Sequence, residues 1–240
     1  RQVSRFIETA EANRALSSAG IQPEFTGYQS LEDNATVLTV VVNGKEVESA
    51  AAAPAVELVV NRTPVYGESG GQVGDTGRIT SENLEMSVDD TIKDPTGLII
   101  HKGTIGSGMI QKNQTVTLTV DRGKRADTAR NHTATHILHA VLRKVLGDHV
   151  KQAGSLVAPD RLRFDFTHPS QVTSKTLQRI ENEVNERIRW NTTVDTKEME
   201  AQSAFQSGAT ALFEEKYGDR VRVVSLADFS KELCGGTHTA

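Results

Sequence analysis

The clearest hydrophobic periodicity in the chain runs over residues 127–146, where Ala134, Ile137, Leu138, Val141, Leu142 and Val145 recur at helical spacing before Gly147. This predicts one amphipathic helix. A second helical pattern covers residues 174–190, with Leu177, Ile180, Val184 and Ile188 inside, and a third covers residues 1–19, with Val3, Phe6, Ile7 and Ala10 before Gly20. Strand signals fill the stretch between the helices predicted over 1–19 and 127–146: residues 36–42 followed by Asn43-Gly44, then 56–60, 84–88, 98–101 and 116–120. Beyond the long helix, residues 152–157 and 162–166 predict a strand pair joined through Pro159-Asp160, and residues 194–199 and 221–225 add two further strands. The expected fold class is α+β. A lead-in helix or linker over residues 1–24 is followed by a small β-barrel domain over 25–121 and an α+β domain over 122–240. There is no internal repeat.

The long helix carries the first candidate chemistry. His132 and His136 lie one turn apart on a shared face, and a matched pair, Cys234 and His238, closes the chain in Cys-Gly-Gly-Thr-His. Cys234 is the only cysteine, so it forms no internal disulfide. Three imidazoles and a thiolate make a tetrahedral nitrogen and sulfur set suited to Zn²⁺. Gly235 and Gly236 let the backbone turn tightly around an ion. The competing reading is a buried free cysteine with surface histidines. A zinc protease does not fit, because Thr133, Ala134 and Thr135 separate the helix histidines and leave no glutamate as general base. His139 continues the same face and is left outside the ligand set, and His101, His149 and His168 have no partner at ligand spacing.

Composition narrows the setting. With 37% hydrophobic residues, a net charge of −4 and no apolar run long enough to span a bilayer, the chain reads as a soluble cytoplasmic protein. A single cysteine argues against a secreted disulfide scaffold. No signal peptide is visible, and the start on Arg1 and the stop just past the Cys-x-x-x-His pair predict a piece of a longer protein. The charge is unevenly spread: Arg122, Lys124, Arg125, Arg130, Arg143, Lys144 and Lys151 outnumber Asp121, Asp127 and Asp148, leaving +4 beside the first histidine pair. Such a patch suits salt-sensitive phosphate contacts, or is simply a solvated helix face. The glycine-rich segment 67–77 lacks the Gly-Lys-Ser/Thr ending of a nucleotide-binding P-loop and reads as a tight turn between barrel strands, with Glu68, Ser69 and Gln72 as its reactive-looking members.

Three blocks carry a family resemblance: His-Thr-Ala-Thr-His-Ile-Leu-His at 132–139, Cys-Gly-Gly-Thr-His at 234–238, and Arg-Thr-Pro-Val-Tyr-Gly-Glu-Ser-Gly-Gly-Gln-Val-Gly-Asp-Thr-Gly at 62–77. Their order and separation, with Lys-Gln-Ala-Gly-Ser-Leu-Val at 151–157, closely resemble the editing domain of alanyl-tRNA synthetases from about residue 30 onward. Val65 departs from the family's usual phenylalanine, a conservative change. The resemblance implies a barrel followed by a zinc-dependent editing domain of the threonyl/alanyl-tRNA synthetase second additional type, with His132, His136, Cys234 and His238 as metal ligands.

By the same resemblance, the expected activity is hydrolysis of Ser-tRNA(Ala) and Gly-tRNA(Ala), sparing the alanyl ester. A pocket for alanine cannot strongly reject a smaller or singly hydroxylated side chain, so a second site must remove the errors. Thr135 and Gln152 resemble pocket positions that recognise the seryl side chain or orient water, and Asp165 resembles a position that braces a ligand histidine. Gly70, Gly71, Gln72, Arg125, Arg130 and Lys151 are the expected substrate or tRNA contacts. ATP-dependent attachment of alanine belongs to regions absent from these residues. The alternatives are a free-standing trans-editing deacylase and a non-catalytic zinc-stabilised tRNA-binding module.

Overall fold

The computed structural model describes residues 13, 16, 18–52, 55–210 and 218–239. The helix expected over residues 1–19 lies outside them except for Asn13, Leu16 and Ser18, which are helical, and Ala19, which is in a turn. The chain forms two compact units, Arg1–Ser69 with Val73–Arg125, and Gly70–Gln72 with Ala126–Ala240. The two units divide after Arg125, and three residues of the glycine-rich segment go with the second unit. The described residues are mostly β, with few helices. None of their helices is long and apolar enough to cross a membrane.

The first unit opens with β1 (Glu24–Phe25), β2 (Glu32–Val42), β3 (Lys45–Glu46), β4 (Ser49–Ala51), β5 (Val56–Val60) and β6 (Arg62–Thr63). It continues through β7 (Gly77–Ser81), β8 (Leu84–Lys93), β9 (Ile99–Gln111) and β10 (Thr115–Val120). Strands β2, β10, β7, β8, β9 and β5 pair in that order and β5 returns to β2, all antiparallel, closing a six-stranded barrel with no free edge in the ring. Period-2 alternation fills it: on β8, Leu84, Met86 and Val88 are buried while Glu85 and Ser87 are exposed. They join Val37, Val40, Leu58, Ile79, Ile105, Ile110 and Leu118 in the core. Asn43 and Gly44, with φ of 52° and 74°, make the two-residue turn between β2 and β3, with Val42 opposite Lys45.

A buried ion pair braces the start of the glycine-rich segment within this unit. Arg125 donates from Nε to Asp75 at 2.9 Å and from its terminal nitrogens to the carbonyls of Gly27 and Pro64 at 2.8 and 2.7 Å. Asp75 Oδ2 also accepts the Tyr66 N–H at 2.8 Å.

The helix α1 (Arg122–Leu146) begins five residues earlier than the periodicity predicts. Asp121 accepts the Lys124 N–H at 3.0 Å, an N-cap that apolar spacing does not register. It ends at Gly147, whose φ of 117° and N–H bond to the Arg143 carbonyl close the last turn. In the second unit β11 (Gln152–Val157) and β12 (Leu162–Phe166) form the expected antiparallel pair, and α2 (Ser174–Arg189) is capped by Thr173. Strands β13 (Val194–Glu200), β14 (Arg220–Leu226) and β15 (Ser230–Leu233) form a sheet in that order, with α3 (Ala201–Gln206) between the first two. Ile137, Val141 and Leu142 of α1 pack with Val150, Ile180 and Leu226.

Candidate metal centre

The packing of α1 leaves its other face to His132, His136 and His139, at positions i, i+4 and i+7. Strand β15 delivers Cys234 directly after Leu233, and the loop that follows delivers His238. Arg222 holds this loop, donating to the carbonyls of Cys234 at 3.0 Å and Gly236 at 2.8 Å. Gly236 approaches His132 so closely that a Cβ there would run into the imidazole.

Ligand atoms of His132, His136, Cys234 and His238 lie within 4.8 Å of one another. Cys234 Sγ is 3.4 Å from His132 Nε2 and 3.3 Å from His238 Nε2. Tetrahedral zinc with its usual bond lengths would set such nitrogen and sulfur atoms about 3.5 Å apart. The His136 Nε2 atom is buried with no hydrogen-bond partner, an orphan that a metal ion would satisfy.

Each imidazole is held through its other nitrogen. His132 Nδ1 meets Gln72 Oε1 at 2.7 Å, His136 Nδ1 meets Glu232 Oε2, and His238 Nδ1 lies 3.4 Å from Thr133 Oγ1. With Nδ1–H donated to these oxygens, each imidazole in its neutral form keeps the Nε2 lone pair for the cluster. Gln72 is wholly buried; its Oε1 also accepts the Thr237 N–H at 2.9 Å, and its Nε2 donates to Thr237 Oγ1. Gly70 and Gly71, with φ of 59° and 87°, carry the chain to this point. The Gly71 carbonyl accepts the Val157 N–H at 2.8 Å, and a Cβ on Gly71 would collide with Ser155.

The electrostatics of the metal-free cluster favour a thiolate. Burial raises the Cys234 pKa, but the neighbouring His132, with hydrogen bonds from the imidazoles around it, holds the thiol well below its ordinary range. Burial opposes charge on His136, yet the Glu232 carboxylate and Cys234 outweigh it and push His136 up to about 10. Glu232, against its own burial, is held down at about 2 by His136 and His139. Burial dominates at His238 and lowers it to about 3.

The tRNA synthetases class II (A) family model matches residues 2–124, just over half of the chain. The chain belongs to this family. Its likeness to alanine–tRNA ligases extends further: it is 57% identical to that of Desulfosudis oleivorans over 238 residues, which are 99% of this chain and 27% of that protein. It is 50% identical to that of Thermotoga petrophila over 217 residues, 90% of this chain and 25% of the relative. The ligase of Halorhodospira halophila is 49% identical over 246 residues, 99% and 28% respectively. The chain thus spans about a quarter of the length of the curated relatives it matches.

The remaining expected site residues of this synthetase-family chain are placed as follows. Thr135 is buried and its hydroxyl back-bonds to the Asn131 carbonyl at 2.8 Å, while Gln152 donates to Ser155 Oγ at 3.0 Å. Arg130 and Lys151 are exposed, and Arg130 pairs with Asp127. Arg125 is 6% exposed and its guanidinium is consumed internally, so it is not a solvent-facing phosphate contact. Asp165 is exposed and paired with Arg163 at 3.2 Å; the carboxylate that contacts a histidine of the cluster, His136, is Glu232 instead. A cleft of about 740 Å³, lined by Arg130, Thr133, Ile137, Arg187, Trp190 and Phe229 among others, borders the cluster through Thr133.

Proposed function

We propose that this chain is the editing part of an alanine–tRNA ligase, with an editing domain of the threonyl/alanyl-tRNA synthetase type from residue 122 onward. It hydrolyses the ester joining serine or glycine to the terminal adenosine of tRNA(Ala). The observation that carries the reading is the four-ligand cluster, in which all three imidazoles have their Nδ1 atoms occupied and Nε2 turned toward the Cys234 thiolate. The likeness to alanine–tRNA ligases supplies the substrate class.

Zn²⁺ fits this nitrogen and sulfur set, and when bound it would supply positive charge beside the aminoacyl ester and fix the shape of the site; four protein ligands complete a tetrahedron and leave no open position, which favours positioning over water activation. Gln72 and Glu232 orient the ligand imidazoles. Gln152, which holds Ser155 through Nε2, offers Oε1 to accept from a seryl hydroxyl or a water, and Thr135 shapes the pocket from the ligand helix. The bordering cleft offers Trp190 for base stacking and Arg130 for phosphate; Gly70, Gly71 and Lys151 lie outside its lining and are assigned as further substrate contacts. Alanine attachment with ATP is assigned to parts of the ligase outside these 240 residues.

The test is deacylation of seryl-, glycyl- and alanyl-tRNA(Ala) by this chain. The expected result is clearance of the first two and persistence of the third. If Zn²⁺ and tRNA bind and no ester is cleaved, the chain is a metal-stabilised tRNA-binding module, the reading that a completed tetrahedron also accommodates.

A further inference from the structure

Both oxygens of one buried carboxylate are occupied by imidazoles from the ligand helix. Glu232 Oε2 meets Nδ1 of His136, and Oε1 meets Nδ1 of His139 at 2.7 Å. The three residues are 4%, 2% and 3% exposed, so water does not substitute for any of these contacts. A carboxylate only accepts, so neutral imidazoles here must both carry Nδ1–H and leave Nε2 as a bare lone pair. On His136 that lone pair faces the ligand set. On His139 it is buried without a hydrogen-bond partner, with the Phe164 ring 5.2 Å from its own.

Stability alone does not account for this arrangement. Burying a carboxylate costs several kcal/mol, and well-packed apolar side chains would fill the same space at no such cost. The arrangement makes sense if the charge and direction of Glu232 are used. We propose that Glu232 is a positioning residue for the metal and His139 its anchor, the chain His139–Glu232–His136 fixing the tautomer and ring direction of the metal ligand. The inference rests on the metal reading above. It adds a role for His139, which is not itself a ligand, and links strand β15 to the ligand helix two residues before Cys234.

The test is Zn²⁺ affinity of the full chain, measured by competition with a chromogenic chelator, for the wild type, Glu232→Gln, His139→Phe and His139→Asn. Loss of an outer-sphere partner weakens metal binding by about 10–100-fold, and that is the expected effect of Glu232→Gln. His139→Phe weakens it in the same direction. His139→Asn places an amide N–H where Nδ1–H was, and restores affinity toward the wild type. Nitrogen NMR of the histidines gives a second readout: His136 and His139 are both Nδ1–H tautomers in the Zn²⁺-bound wild type, whereas Glu232→Gln forces one of them to Nε2–H. Should Glu232→Gln fail to fold, the two His139 variants decide. A folded Glu232→Gln binding Zn²⁺ within twofold of the wild type overturns the role, as does His139→Asn binding as weakly as His139→Phe. A wild type that binds no Zn²⁺ overturns the metal reading and this role together.

Discussion

Arg125 separates two accounts of the basic residues on α1, and replacing it with methionine decides between them. Its guanidinium satisfies Asp75 and the carbonyls of Gly27 and Pro64, and both partners of the ion pair are 6% exposed. Arg125→Met keeps much of the aliphatic volume but removes all of these donors. Asp75 is left with the Tyr66 N–H, and the two carbonyls lose their bonds to the guanidinium. Removing one partner of a buried pair costs about 3–5 kcal/mol. At about 2–4 °C per kcal/mol for a chain of this size, the unfolding transition containing the barrel falls by about 6–20 °C. The double variant Arg125→Met/Asp75→Asn recovers part of that loss, because no uncompensated buried charge remains. Scanning calorimetry reads both, and filter binding below the transition reads tRNA affinity. A fall of less than about 2 °C, or loss of tRNA binding by a fully folded Arg125→Met, would refute the structural assignment.

Three further outcomes follow from single sites. His101 is fully buried, bonded to Thr63 at 2.9 Å and the Leu58 carbonyl, and burial lowers its pKa from 6.5 to about 4. The folded state therefore resists protonation that the unfolded state accepts: the contribution is complete above pH 6.5 and about 3 kcal/mol is lost as pH falls toward 4. Urea unfolding across that range should show a flatter pH dependence in His101→Gln, and an unchanged slope would contradict the assignment. Gly236→Ala puts a methyl into the His132 ring and 2.9 Å from Gln72 Oε1, and should weaken Zn²⁺ binding about tenfold or more; chelator competition checks it. Thr173→Ala removes the cap that accepts the Thr176 N–H at 3.2 Å, and should lower stability by about 1 kcal/mol in chemical denaturation.

The elements that sequence made legible are those whose local signals agree. Asn43-Gly44 predicts a hairpin turn and both residues adopt positive φ; residues 152–157 and 162–166, joined through Pro159-Asp160, pair as expected. Strands β7 and β15 went unpredicted because each is short and rich in glycine or charge, so they exist through pairing with neighbours rather than propensity. The cluster of His132, His136, Cys234 and His238 was legible because both half-motifs are local in sequence. Their support was not: Gln72 is 60 residues from His132, and Glu232 is 96 from His136. A glutamate beside Leu233 and Cys234 reads as a surface charge until β15 turns it toward α1. Arg125 was misjudged for the same reason, since composition counts a guanidinium without showing what it touches.

The central claim is that the His132, His136, Cys234 and His238 cluster holds a metal needed to clear mischarged tRNA(Ala). The most direct measurement is the rate of Ser-tRNA(Ala) hydrolysis by the wild type and Cys234→Ala, after stripping with a chelator and again after adding Zn²⁺. The account predicts that the stripped wild type loses activity and regains it with about one Zn²⁺ per chain, while Cys234→Ala does not recover. Undiminished hydrolysis by the stripped wild type, or by a metal-free Cys234→Ala, would contradict it.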